Sequence, residues 1–556
     1  MAVKEREIIL KEETKARDVK INEAKKGNNF FSGVLVLSLS AVIVKIIGLV
    51  YKIPMLRLLG SEGMGYFNSA YEIYALFCVI STAGLPVAMS VMISRSGERG
   101  MARKIFKVSM SLFLVLGIIG TLVMLLCANP LAMLLKSSKA MYSIMAIAPT
   151  VLFICISSAY RGYFQGLGTM IPTAVSQIIE ALGKLFIGLL FAHIAFSAGF
   201  DTEMIAAFAV MGLTLGTAVS ALYLALSKKI NNRRETPTVK SRTDGRIAAE
   251  LMKTAIPVTL SSAVISLTKV IDMTMILRRM QTVGFSENQA FSAYGNYTTL
   301  AVPLFSVAPA LISSVALPLV PALSSAIAAR DPVGQIRATS DAVKLALIVS
   351  MPISIGLCMF SEPILALIFP CEPDAVSMSA PLLSVLGLSV TMSCLVTVSN
   401  SVLQAYGRPT VPIWSMATGT AIKIILAYFL IGNREVNIMG APISTLLCDF
   451  TIVIINLHYV NKYLPAPLSA KDLMWRPFGA SLGAVCGARV LYYALESRVG
   501  ESPLFTILSV GIAAAIYLPM CTLTRAISRE DIKKLIGPSI EKTHLVSVND
   551  ETNEIT

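Results

Sequence analysis

The chain has 556 residues, 55% hydrophobic and 14% charged, and a formal net charge of +14 at pH 7; its mean hydropathy is +0.71. A composition this apolar excludes a water-soluble globular domain. The basic excess reads as a topology signal with a secondary attraction to anionic headgroups, and it implies no nucleic-acid partner.

Residues 1–30 are charged and poor in apolar side chains, with Lys4, Glu5, Arg6, Lys11, Glu12 and Glu13 of mixed sign. They lack the apolar core of a signal peptide and read as a solvated cytoplasmic tail. From Phe31 to Leu523 about fourteen apolar runs follow, each roughly twenty residues long and bounded by charge. Only helices satisfy every backbone group within one segment in lipid, so the sequence predicts an all-α polytopic membrane protein. The spans fall at about 32–56, 65–92, 108–128, 141–162, 171–193, 205–227, 252–277, 296–327, 338–359, 377–402, 410–431, 437–459, 477–496 and 503–524. Residues 527–556 are polar and close the chain as a second cytoplasmic tail.

Lys and Arg in short loops resist translocation. With the N-terminus inside, alternate loops hold about 32 basic residues on the cytoplasmic face and about 8 outside. Both termini are therefore expected in the cytoplasm. A cysteine introduced at Lys240, in the densest basic loop, should stay unlabelled by an impermeant thiol reagent in intact cells; labelling there would invert the topology.

An internal repeat organises the spans. Gln165-Gly166-Leu167-Gly168, with Pro172 and Lys184 following, recurs about 239 residues later as Gln404-Ala405-Tyr406-Gly407, with Pro412 and Lys423 following. A weaker echo joins Leu85-Pro86 before Arg95 to Leu317-Pro318 before Arg330. The matching spans are separated by an even number of crossings, so the halves share one orientation. The expected organisation is an N-lobe at 31–230, a basic linker at 231–250, a C-lobe at 251–460 and a final helix pair at 461–526. Each lobe is a six-helix unit, and the two form a parallel repeat.

Function is sought where charge lies in hydrocarbon, since an ionised side chain at mid-membrane costs about 2.5–3.5 kcal/mol on insertion scales. Lys45 and Lys52 lie seven residues apart on one face of the first span, without an acid beside them, and Arg57 lies at its end. Glu72, with Asn68 nearby, is the candidate to neutralise Lys52. Glu180 and Lys184 stand at i,i+4, and Lys269 and Asp272 at i,i+3, spacings at which opposite charges meet; each pair reads equally well as a packing clamp or as a substrate or ion site, with Lys269 and Asp272 placed in the substrate cavity. Lys423 and Asp449 are placed to pair across helices, and Arg489 has no evident partner. A cationic stripe in the first half suits an anionic cargo such as phosphate or pyrophosphate. Nine scattered cysteines and three distant histidines outline no metal site, and no nucleotide-binding, nucleophile-elbow or zinc motif marks an enzyme.

The segment Lys45-Ile-Ile-Gly48-Leu-Val-Tyr51-Lys52-Ile-Pro54, then Leu59-Gly60, Gly63-Met-Gly65-Tyr66, Tyr71-Glu-Ile-Tyr74 and Ser81-Thr-Ala-Gly84-Leu-Pro86-Val-Ala-Met-Ser90, resembles the opening of the stage V sporulation protein B family. Arg161-Gly-Tyr163-Phe164-Gln165-Gly166 through Ile171-Pro172-Thr-Ala-Val-Ser176-Gln177-Ile-Ile-Glu180 is similar to it as well. That family stands with the MurJ-type lipid II flippases and the multidrug and toxin extrusion (MATE) antiporters. The resemblance implies two six-helix lobes plus a terminal helix pair. It also implies a flippase for an undecaprenyl-pyrophosphate-linked wall or polysaccharide precursor, working by alternating access in the bacterial cytoplasmic membrane. Lys45 and Lys52 are the positions carried over as cavity cations, lysines where MurJ-type relatives use arginines. The last helix pair would form a groove for the lipid tail, with Arg489 beside it. The implied partners are the lipid-linked sugar pyrophosphate, membrane lipids and cell-wall synthesis proteins, for a monomer without cofactor and with Na+ or H+ as coupling ions to be tested. An ion-coupled multidrug antiporter is the alternative, and a scaffold of sporulation or wall synthesis is the second.

Overall fold

The computed structural model describes residues 2–96, 99–231, 244–467, 470–499 and 503–524. Among these residues every regular element is helical. The chain divides into two compact units, Met1–Thr299 and Leu300–Thr556. This boundary is set by packing, whereas the anticipated lobes follow the repeat. The helix that opens the second repeat is thus grouped with the first unit.

The first unit contains α1 (Ala2–Thr82), α2 (Leu85–Ser96), α3 (Arg99–Leu126), α4 (Ala128–Leu134), α5 (Ala140–Ile147), α6 (Thr150–Gly166), α7 (Ile171–Ser197), α8 (Thr202–Asn231), α9 (Asp244–Thr282) and α10 (Glu287–Asn296). The second contains α11 (Val302–Phe305), α12 (Val307–Ala328), α13 (Pro332–Met359), α14 (Ser361–Ile368), α15 (Pro373–Ala405), α16 (Thr410–Ile431), α17 (Gly440–Tyr463), α18 (Ala470–Val499) and α19 (Pro503–Leu523). A π-helical turn at Tyr297–Ala301 follows α10.

Thirteen helical segments among the described residues are long and apolar enough to cross a membrane, and the first of them covers two of the fourteen anticipated spans. The first, Leu39–Ser96, has 58 residues. At about 1.5 Å per residue it is more than twice as long as a hydrocarbon core of about 30 Å. It therefore carries two crossings, and the helix breaks at Gly60, whose φ of 64° is open to a residue without Cβ. The span anticipated at 296–327 is not one helix. The apolar stretch begins at Glu287, passes through the π-turn and restarts at Val307, because Pro303 and Pro309 remove two backbone donors. The N-terminal tail is helical from Ala2. The C-terminal tail at 527–556 and most of the basic linker lie outside the described residues.

The repeat is visible in backbone detail. Gly168 and Gly407 both adopt a left-handed conformation, φ 76° and 67°. Each closes its helix with a short bond, Gly168 N to Gln165 O at 3.0 Å and Gly407 N to Gln404 O at 2.9 Å. A longer bond then follows in each, Thr169 N to Phe164 O and Arg408 N to Leu403 O. The two motifs are the same glycine-terminated helix end.

In the first unit α7 and α8 cross with almost no side chain between them. A Cβ built on Gly212 would lie 2.2 Å from the Cα of Gly188, and one on Gly183 would lie 2.4 Å from the Cα of Gly216. Small residues four apart, as in Gly212-Leu-Thr-Leu-Gly216, let membrane helices approach at backbone distance. This contact fixes α7, which carries the polar groups described next.

Candidate functional site

A cavity of about 460 Å³ opens in the first unit, walled by α1, α6, α7 and α8. Lys45, Arg161 and Lys184 bring three cations to it, Glu180 brings a carboxylate, and Gln177, Tyr51 and Tyr71 complete the polar and aromatic lining. Lys45 is exposed into this space. Lys45 comes from α1, Arg161 from α6 and Lys184 from α7, so the cations of this cavity are brought by three helices and do not form a stripe on one.

Glu180 does not make the expected contact with Lys184. Its Oε2 accepts from Arg161 Nη2 at 2.8 Å, and the guanidinium also donates from Nε to Ser176 Oγ at 2.9 Å. Ser220 Oγ in turn donates to the Ser176 carbonyl at 2.9 Å, tying α8 to the same group. The planar guanidinium presents separate N–H groups in a fixed fork and so holds Glu180 and Ser176 at once. Lys184 instead points its ammonium at three rings, Tyr51 at 5.0 Å, Phe67 at 5.2 Å and Tyr71 at 4.7 Å from their centroids. Sequence reasoning passed over Arg161 as a site residue because it sits at the edge of an apolar run. Its signal was a lone guanidinium among Ser158, Gly162 and Tyr163.

Lys52 lies on the same face as Lys45 but has a different neighbour. Its Nζ donates to the carbonyl of Thr298 at 2.6 Å. A π-turn pairs each carbonyl with the amide five residues on, and for Thr298 that position is Pro303, which has no N–H. Lys52 supplies the missing donor. Asn68 is buried beside it, and its Nδ2 donates to Thr298 Oγ1 and Thr299 Oγ1, both at 2.9 Å. Glu72 lies within the electrostatic reach of Lys269, Lys52 and Asp272, so α1 and α9 share one charged group. Arg57 is exposed at the end of the span.

A second polar cluster escaped the sequence reading. Tyr66 Oη donates to Glu62 Oε1 at 3.0 Å, Ser137 Oγ donates to Glu287 at 2.5 Å, and Lys139 lies 3.6 Å from Glu203 and 3.9 Å from Glu62. Its members are distant in sequence and meet only because α1, α5, α8 and α10 converge there.

In the second unit Asp449 feels the charge of Lys423 and accepts a hydrogen bond from Ser393. Asn456 joins Ser415, Ser399 and Asn400 at 2.7, 3.0 and 2.8 Å. Arg489 is not left without contacts: it stacks on Phe360 at 5.1 Å, Tyr492 at 5.3 Å and Tyr493 at 4.5 Å, and donates to Tyr493 Oη at 2.9 Å. It lines a polar cavity of about 480 Å³ with Glu362 and Glu496. An apolar cavity of about 470 Å³ between α13, α14, α18 and α19 shares the Phe360 ring.

A bundle of membrane-crossing helices that holds unlike charges around interior cavities defines a membrane transporter. The profile of the polysaccharide biosynthesis protein family matches residues 30–327, and that of the MatE family matches 257–429. The chain therefore belongs to the polysaccharide biosynthesis protein family. It is 24% identical over 518 residues to stage V sporulation protein B of Bacillus subtilis (strain 168), covering 91% of this chain and 97% of that one. It is also 24% identical over 517 residues to the lipid II flippase MurJ, covering 87% and 94%. Among solved structures, the lipid II flippase MurJ in an inward closed conformation superposes with a TM-score of 0.68 at 14% identity, covering 88% of this chain and 98% of that one. An inward-facing multidrug resistance MATE family transporter superposes with a TM-score of 0.61 at 18% identity, covering 78% and 98%. The two structures share the fold.

Proposed function

We propose that the protein is a flippase that carries a lipid-linked sugar pyrophosphate from the inner to the outer leaflet by alternating access, with both termini in the cytoplasm. The observation that carries this reading is the first-unit cavity, where Lys45, Arg161 and Lys184 face one carboxylate already bonded to Arg161. In a low-dielectric wall such an excess of positive charge favours a polyanion and opposes a cationic drug. The names of the relatives agree with the cargo class, lipid II for one of them.

The apolar cavity beside α18 and α19 suits a prenyl tail, and Arg489 at its aromatic edge suits the polar end of a lipid. Lys423 and Asp449 then serve packing or coupling in the second unit. Lys269, Asp272 and Glu72 link α9 to α1, so that movement of one helix changes the electrostatic partners of the other.

Native mass spectrometry of the purified full-length protein tests the reading. The expected result is a retained lipid species whose fragments include pyrophosphate and a sugar. Failure to retain or flip any pyrophosphate lipid, together with uptake of a cationic dye into vesicles, would establish the antiporter reading instead.

A further inference from the structure

Glu180 and Lys184 occupy the i,i+4 positions at which an acid and an amine on one helix ordinarily meet. In this cavity they are held apart. Arg161 takes the carboxylate at 2.8 Å and is itself fixed by Ser176 at 2.9 Å and by Ser220 at 3.4 Å. Lys184 faces Tyr51, Phe67 and Tyr71 and lies within the electrostatic reach of Glu180 and Lys52, but among the described residues no hydrogen bond or ion pair reaches its ammonium. Aromatic faces attract and orient a cation without neutralising it.

We infer that Arg161 is a positioning residue, which occupies Glu180 so that the Lys184 ammonium stays without a direct hydrogen bond in its aromatic box and available to an anionic group entering the cavity. The identity of that anion as phosphate or pyrophosphate rests on the function proposed above. The masking of Glu180 does not.

The second half of the repeat supports the division of labour. The positions about 239 residues on from Arg161 and Glu180 are Asn400 and Gly419, so the guanidinium and the carboxylate are absent together. Ser176 keeps its counterpart in Ser415, and the neutral Asn456 bridges Ser415 to Asn400. Lys184 keeps its counterpart in Lys423, which lies in the field of Asp449. The acid stands on this face of the repeat only where an arginine is present to occupy it. That is the pattern of a pair acting as a unit.

Two readouts on the purified full-length protein separate this inference from the substrate reading. The first is reductive methylation of lysines followed by peptide mass spectrometry, which reports how free the Lys184 amine is. Arg161→Gln releases Glu180 to Lys184 and should slow modification of Lys184 about fivefold or more, and Arg161→Gln with Glu180→Gln should restore it. The second is titration with inorganic pyrophosphate. Binding should weaken about tenfold in Arg161→Gln, recover to within about threefold in the double variant, and tighten about twofold or more in Glu180→Gln alone.

Unchanged Lys184 modification in Arg161→Gln overturns the inference. If that variant cannot be purified, weaker pyrophosphate binding by Glu180→Gln overturns it as well, because a masked carboxylate cannot be a needed ligand. If modification responds as expected while the unaltered protein binds no pyrophosphate, Arg161 keeps its positioning role and the pyrophosphate reading falls.

Discussion

Gly212→Ala is expected to remove most folded protein, although alanine is the smallest side chain that can be added. The new Cβ would lie 2.2 Å from the Cα and 2.3 Å from the nitrogen of Gly188, backbone atoms that no rotamer change can move. The only relief is to separate α7 from α8, which breaks the helix contact along its whole length. Overpacking in a well-filled interior costs about 1–3 kcal/mol even where side chains can yield, so about 3 kcal/mol or more is expected where they cannot. Fluorescence-detected size exclusion after mild heating reads this directly. A Gly212→Ala protein with unaltered thermal stability would show that α7 and α8 do not cross at their glycines.

The second large effect separates two lysines that the sequence presents as equivalent. Lys45→Gln is expected to lower flipping of a pyrophosphate lipid in reconstituted vesicles by about tenfold or more while leaving the melting temperature nearly unchanged, since the residue is exposed into the cavity and supports no packing. Lys52→Met is expected to lower both. It keeps the length of the chain and removes the amine that donates to the Thr298 carbonyl, a carbonyl that Pro303 cannot satisfy. A buried unsatisfied group costs about 1–3 kcal/mol. Equal melting temperatures for Lys52→Met and the unaltered protein would show that the π-turn does not depend on Lys52.

The repeat was legible because it is written in residues whose conformational demands are local. A glycine that must take positive φ after a Gln-x-x-Gly helix end recurs as Gly168 and Gly407, and both positions adopt that conformation. The first span pair was legible by hydropathy, and the gap between 32–56 and 65–92 brackets the break at Gly60. Asn68 was singled out as a neighbour of Lys52. It does lie beside Lys52 and shares its acceptor residue, Thr298, and its amide also donates to Thr299 of the same π-turn.

By itself the sequence determined the class of protein, its helical spans and the presence of interior charge. Each of these follows from transfer energies summed over a window of neighbouring residues, which need no knowledge of the rest of the chain. Tertiary structure alone decided who holds whom. Arg161 reaches Glu180 from another helix, Lys184 enters a box built from α1, and Lys52 finds its acceptor 246 residues away. In a low-dielectric interior an ionised group takes whichever partner satisfies most of its hydrogen-bonding capacity, and the positions of those partners are set by helix packing.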